Sequence, residues 1–309
     1  MIIAAGGWSA SNAQPDPATH LRALPSINHD RVDWGRVQRT VLRIQENIGY
    51  SYGETIHDLR HRLVVVPPER HLDQRRVSCL LSVSEDDAHI RDRVDEFGNM
   101  VFDVRVGKVE SRIDFEAWIL VERRYDAEPH RWTGDVNELL EPTSLTEPTA
   151  ALSRAAREIS AGSERGPELA KKIGLWVHEN MSFAHDVTTI RTTAAEALAF
   201  GFGVCQDYAH IMIALCRLCG LPARYVSGHL PGEGGTHAWV EVLVGGDAGK
   251  YAVYPFDPSR GRQPGMSYAT IAVGRDYGDV APTSGTFLAS STGKLSIRRR
   301  VDVAEVEYS

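Results

Sequence analysis

Cysteine is scarce: Cys79, Cys205, Cys216 and Cys219 are the four in a chain of 309 residues. Four cysteines in this length do not make a disulfide scaffold, so stability must come from packed cores. A reducing compartment suits such a chain and would preserve a nucleophilic thiol. Long apolar runs are lacking as well. None approaches the roughly 20 residues that a membrane helix needs, and no membrane partner is expected. Excess positive charge is also missing. Lys and Arg number 34 against 41 Asp and Glu, a net charge of −7, so a nucleic-acid partner has no global electrostatic support. The short clusters Arg123-Arg124 and Arg298-Arg299-Arg300 read as solvated strand faces. Internal repeats and low-complexity tracts are absent. The opening residues lack a basic region, and their apolar run stops at Gly6-Gly7. The expectation is a cytoplasmic protein without an export signal. Cys216 and Cys219 form a C-x-x-C pattern near the end of an apolar helical stretch, with no second pair. Packed helical thiols are expected there, not a metal or redox site.

What is present suffices for about two modest domains, with hydrophobic residues at 42%. Residues 1–37 are punctuated by Pro15, Pro17 and Pro25 and read as an irregular leader. From 38 to 126 the text carries strand signals: Arg62 to Val66, Val77 to Val83, Met100 to Val106 and Phe115 to Val121. A turn signal lies at Phe97-Gly98-Asn99. Several short strands at this spacing predict an antiparallel β-sandwich. The polar stretch up to 147 reads as a connection. A second unit, 148–309, begins with helical periodicity at Ala150 to Ile159 and Pro167 to Asn180. The second of these has Pro in its first turn. Thr192 or Thr193 can cap a short helix from Ala194 to Phe200. A longer helix runs from Cys205 through Cys219 and stops at Gly220 before Pro222. Strands then follow at Ala223 to Gly228, His237 to Val244 and Lys250 to Phe256, with a closing strand from Leu295 to Val306.

Cys205 stands where the glycine-punctuated Gly201-Phe202-Gly203-Val204 becomes a helix. Unpaired N–H groups and the helix dipole favour negative charge at that end, and the thiolate is the attacking form of cysteine. The backbone N–H of Cys205 is placed to donate to a developing oxyanion. A thiol nucleophile needs a base. His210 lies five positions on, roughly 140° around the helix from Cys205, and faces the wrong way. His229 precedes Pro231 and could line a site. His237 is the better candidate, because it opens a strand after the flexible loop Gly232-Glu233-Gly234-Gly235. Asp257 follows the next strand. If the two strands pair in antiparallel fashion, Asp257 can accept from His237 and fix its tautomer. Trp239 and Tyr254 read first as core residues.

Thr192-Thr193-Ala194-Ala195-Glu196-Ala197, Gly203-Val204-Cys205-Gln206-Asp207-Tyr208-Ala209-His210, Pro222 to Gly228, Thr236 to Val242 and Phe256-Asp257-Pro258 resemble, in that order, the bacterial transglutaminase-like family. Gly274 to Val280 and Pro282 extend the match. His61 to Val66 with Pro67, and Asp95 to Asn99, resemble the domain that precedes the core in these proteins. The resemblance implies an α+β fold: an N-terminal antiparallel β-sandwich, then a papain-like, transglutaminase-like core with a nucleophile helix packed on an antiparallel sheet. It implies the same Cys205, His237 and Asp257 as a catalytic triad. Cysteine-dependent hydrolysis of a peptide, protein or cell-wall-type amide through a thioester is expected. Protein-glutamine transamidation, or a non-catalytic binding or assembly role, are the alternatives. Animal relatives place an oxyanion-stabilising tryptophan upstream of the cysteine. Here the nearest, Trp176, falls inside a predicted helix, with Phe183 nearer the expected place. The side-chain oxyanion donor is therefore unassigned, with Gln206 and Trp239 as oxyanion or substrate-lining candidates. No acidic calcium loop is recognised, so no metal or other cofactor is expected. Asp207 is expected to cap or neutralise the helix start. The sequence carries no signal for oligomeric state.

Overall fold

The computed structural model describes residues 2–5, 21–125, 135–247, 250–290 and 292–309. The N-terminal half supplies strands β1 (Ile2–Ala5), β2 (Val37–Ser51), β3 (Ile56–Leu63), β4 (Arg70–His71), β5 (Gln74–Val83), β6 (His89–Val94), β7 (Met100–Val109) and β8 (Arg112–Arg124). Helices α1 (Ala150–Ser160), α2 (Pro167–Asn180), α3 (Ala194–Phe200) and α4 (Cys205–Leu218) follow, with the short parallel pair β9 (Ser182–Phe183) and β10 (Phe202–Gly203) around α3. The chain ends with β11 (Ala223–His229), β12 (His237–Asp247), β13 (Lys250–Phe256), β14 (Ala269–Gly274), the one-turn α5 (Tyr277–Val280), β15 (Thr283–Leu288) and β16 (Lys294–Tyr308).

This is the expected α+β arrangement with antiparallel sheets. One sheet has the order β1-β5-β8-β2-β16, with β4 on β5; the second has the order β15-β3-β7-β6. Inward residues such as Leu42, Ile44, Leu81, Phe115 and Ile119 on the first sheet, and Leu59, Leu63, Val104 and Val106 on the second, are almost wholly buried. Each such side chain contributes about 1.5–3 kcal/mol by leaving water. The third sheet, β13-β12-β11-β14, carries the helices. Against it lies α4, whose residues from Gln206 to Arg217 are all buried. Gly174 on α2 permits close packing there, because an added Cβ would come within 2.3 Å of the Phe256 ring.

The chain does not divide in space where the sequence divides. Residues 283–309 fall in the unit 148–309 by sequence, yet β15 pairs with β3 and β16 pairs with β2 along nearly its whole length. The C-terminus thus closes both sheets of the N-terminal sandwich. The leader also differs from its reading: β1 pairs with β5, and Leu21 is buried beside Leu80 and Trp118. Residues 6–20 of that segment lie outside the described residues. Two further readings shift. Val64 to Val66 follow β3 instead of belonging to it, although all three are buried. Arg299 is not a solvated residue, since its side chain is only 9% exposed and bonds Glu46 at 2.6 Å. Arg123 is likewise drawn inward, to Asp73 at 2.7 Å. A strand alternates sides at each residue, so one arginine in a basic run must face the core if its neighbours face water.

The sandwich covers the outer edge of the helix-bearing sheet. Strand β14 is that edge, and an edge strand leaves backbone groups unpaired. The amide side chain of Gln74 accepts from Thr270 N and donates to Thr270 O, both at 2.8 Å. Asn99 does the same at Val273, accepting at 2.8 Å and donating at 2.7 Å. Arg123 donates to the carbonyls of Gly265 and Tyr268 just before β14.

Candidate active site

Helix α4 begins at Cys205. Asp207, three residues after Val204, turns back so that its Oδ2 accepts from Val204 N at 2.8 Å and from Thr188 Oγ1 at 2.7 Å. This is the helix-start cap expected of Asp207. Its carboxylate lies so close to Gly203 that a Cβ there would meet it at 2.5 Å. Burial raises the pKa of Asp207, against those hydrogen bonds. The thiol of Cys205 is half-buried, 4.0 Å from the carbonyl of Thr236, and so lies beside the residue that precedes His237.

Strands β12 and β13 pair in antiparallel fashion, with Val240 opposite Phe256. The end of the second therefore meets the start of the first. His237 Nε2 donates to Asp257 Oδ2 at 2.7 Å. With Nε2 committed to Asp257, Nδ1 is the nitrogen left for the thiol side. Asp257 is wholly buried and its other contacts are complete. Tyr268 donates its hydroxyl to Oδ2 at 2.8 Å. Oδ1 accepts from the Ser259 hydroxyl at 2.7 Å and from the backbone N–H groups of Ser259 and Arg260 at 3.0 and 3.2 Å. Burial alone would lower the pKa of His237. The hydrogen bonds to Asp257 and Cys205 outweigh it and raise the imidazole from 6.5 to about 10. Burial acts to raise Asp257, but the same His237 bond holds it below its ordinary value. The pair is therefore imidazolium and carboxylate at neutral pH.

The other histidines are placed differently. His210 is fully buried and accepts from Tyr277 N at 3.2 Å; burial, with Arg217 nearby, lowers its pKa to about 3. His229 is buried 3.9 Å from Glu46, on the side facing the sandwich. Gln206 is 8% exposed and its side-chain amide lies 3.5 Å from the Thr189 carbonyl. Trp239 does not line an open surface. It is 2% exposed, stacks with His237 at 6.3 Å and meets Tyr268 edge-on at 5.3 Å, so it backs the imidazole. Trp176 lies within α2, as expected. Burial pushes the Cys216 thiol well above its ordinary value and raises Cys219 too, which makes both poor nucleophiles.

Sequence reasoning missed Tyr268, Ser259, Arg260 and Glu233. Asp257-Pro258-Ser259 carried a readable signal, because Asp at a turn commonly accepts from the residue two positions on. Glu233 stands four residues before His237 in a glycine-rich loop, and its Oε2 is 3.4 Å from His237 Nδ1. No local pattern marks Tyr268. Its place comes from the sandwich through Arg123.

Residues 153–258 match the transglutaminase-like superfamily core, and residues 42–122 match the bacterial transglutaminase-like N-terminal region. A relative described as an uncharacterized protein of Mycobacterium leprae is 28% identical over 171 residues, covering 52% of this chain and 59% of that protein. One from Mycobacterium bovis is 32% identical over 171 residues, covering 50% and 54%. The chain thus spans little more than half the length of these curated relatives. The fold superposes on that of a candidate cysteine protease from Cytophaga hutchinsonii with a TM-score of 0.69, over 88% of this chain and 93% of the other, at 20% identity.

Proposed function

Since the chain belongs to the transglutaminase-like superfamily, with the bacterial transglutaminase-like N-terminal region ahead of its core, we propose that it is a cysteine-dependent amide hydrolase acting through Cys205, His237 and Asp257. The observation that carries this reading is the 2.7 Å bond from His237 Nε2 to Asp257, which leaves Nδ1 for a thiol at the first turn of a helix. The Cys205 thiolate attacks the carbonyl carbon of an amide in a peptide, protein or cell-wall-type substrate. A C–S bond forms and negative charge moves to oxygen, where the N–H of Cys205 can donate. As the C–N bond breaks, Nδ1–H of His237 protonates the departing amine. Neutral His237 then takes a proton from water, whose oxygen displaces the thiol and releases the acid. Asp257 holds the imidazole's tautomer and stabilises its charged form throughout.

Hydrolysis is favoured over transfer because an amine acceptor must be held in a site of its own to outcompete bulk water. Incubation with a library of peptides and cell-wall-type amides tests the reading, with intact-mass measurement of the protein and chromatography of the products. The expected result is a thioester adduct at Cys205, free acid and free amine as products, and no turnover by Cys205→Ala. Turnover that survives in Cys205→Ala contradicts the mechanism. Transamidated products in the presence of added amine would make it a transglutaminase instead.

A further inference from the structure

Glu233 raises a chemical problem for the resting site. Its Oε2 lies 3.4 Å from His237 Nδ1, the nitrogen that must serve the thiol and the leaving amine. The other oxygen of the same carboxylate is bonded to Arg260 Nη2. A carboxylate at that position competes for the catalytic proton and repels a neighbouring thiolate, so it must withdraw before a substrate amide can enter. Glycines flank it in the chain, with Gly232 at φ +82° on one side and Gly234-Gly235 on the other. Withdrawal of Glu233 removes the closer of the two carboxylates that Arg260 faces. The root of Arg260 stays beside the triad, because its backbone N–H is bonded to Asp257 Oδ1 and its Nε lies 3.9 Å from Asp257 Oδ2. A guanidinium rooted in that place, with its close partner gone, is free to bind another carboxylate.

We propose that Arg260 recognises a carboxylate on the leaving amine, so that the preferred substrate is a peptide or amide whose released fragment is an α-amino acid with a free carboxylate; Glu233 occupies that place until substrate arrives. The proposal rests on the cysteine-hydrolase reading. The geometry limits the substrate closely. One carboxylate group touches both His237 Nδ1 and Arg260, so the two sites are a single small group apart. A leaving nitrogen at Nδ1 brings a carboxylate one carbon away within reach of Arg260, and a carboxylate on a long side chain overshoots it. Beside the pair lies a cleft of about 410 Å³, lined by His29, Trp34, Pro231, Glu233, Arg260 and Arg262, which has room for the side chain of the released residue.

Two reagents that differ only in a carboxylate test this. Iodoacetate and iodoacetamide are reacted separately with the full chain, and the rate of modification at Cys205 is followed by mass spectrometry. The iodoacetate-to-iodoacetamide rate ratio is compared in the wild type, Arg260→Gln and Glu233→Gln. Loss of one charge-assisted hydrogen bond should lower the ratio about tenfold in Arg260→Gln. The ratio should rise in Glu233→Gln, where the competing charge is gone and the substitution sits on a surface loop. A ratio that changes by less than about twofold in Arg260→Gln, or no rise in Glu233→Gln, overturns the proposal. If neither reagent marks Cys205 in the wild type, the hydrolase reading fails first and takes this one with it. Matched peptides with free and amidated C-termini give the second arm. The wild type should release the terminal residue from the free acids preferentially, and equal release from both overturns the substrate class.

Discussion

Strand β12 carries two buried imidazole–carboxylate pairs of nearly equal length. At its start His237 Nε2 meets Asp257 at 2.7 Å; in its middle Glu241 meets His71 Nε2 of the sandwich at 2.8 Å. Distance does not separate them, but the surroundings do. Glu241 is fully buried and also accepts from Arg224, at 2.8 and 2.6 Å, so one carboxylate serves both an imidazole and a guanidinium. Burial would raise its pKa, but His71 and Arg224 pull it down to about 2. That pair locks the sandwich to the core sheet. At the strand's start the carboxylate is held by hydrogen-bond donors besides its imidazole, with the Arg260 Nε farther off at 3.9 Å, and the second imidazole nitrogen opens toward a thiol and a loop. A histidine bonded to a carboxylate is a structural pair or a reactive one according to what faces its other nitrogen.

The largest expected break of this comparison is at the reactive pair. Asp257→Asn should slow hydrolysis by about 10²–10⁴-fold, because the imidazolium loses its charged partner and its tautomer is no longer held. Its melting temperature should change less than that of Glu241→Ala, and a comparison of both in one assay separates catalytic from structural loss. Glu241→Ala removes the acceptor shared by Arg224 and His71 and should destabilise the fold by about 3–5 kcal/mol, read by urea denaturation. A smaller effect is expected at Tyr268→Phe. One hydrogen bond to a charged acceptor is lost, so hydrolysis should fall about tenfold with little change in substrate KM.

Stability against pH gives a further test of the reactive pair. The folded pKa of His237 is raised from 6.5 to about 10. Its stabilising contribution is therefore fully present below pH 6.5 and is lost as pH rises toward 10. Thermal melts across that window should fall more steeply for the wild type than for His237→Ala. Equal slopes would mean that the imidazole is not charged in the folded state.

Local patterns revealed much of this molecule because its helix signals are local. Thr193 with Glu196 forms the reciprocal cap at the start of α3, and Gly220 ends α4 with φ +69°. The placement of Cys205 at a helix start, and of His237 and Asp257 at facing strand ends, needed only neighbouring elements. What stayed hidden was long-range. Nothing in residues 294–308 says that they pair with residues 37–51. Asn99 stood out in a turn signal, but its role, satisfying Val273 on a sheet edge, joins residues 174 positions apart. Tyr268 reaches Asp257 because the sandwich arginine Arg123 holds its backbone. Glu233 and Arg260 are 27 positions apart, and only the fold brings them together beside His237.

The most direct measurement is the rate of iodoacetamide alkylation at Cys205, mapped by mass spectrometry from about pH 5 to pH 9 in the wild type and in His237→Ala. A working thiolate–imidazolium pair predicts rapid alkylation of Cys205 already at about pH 6, slow alkylation of buried Cys79 and Cys216 and of half-buried Cys219, and loss of the fast reaction in His237→Ala. Alkylation that is slow at about pH 6 in the wild type, or fast and unchanged in His237→Ala, contradicts the assignment of His237 as the partner of Cys205.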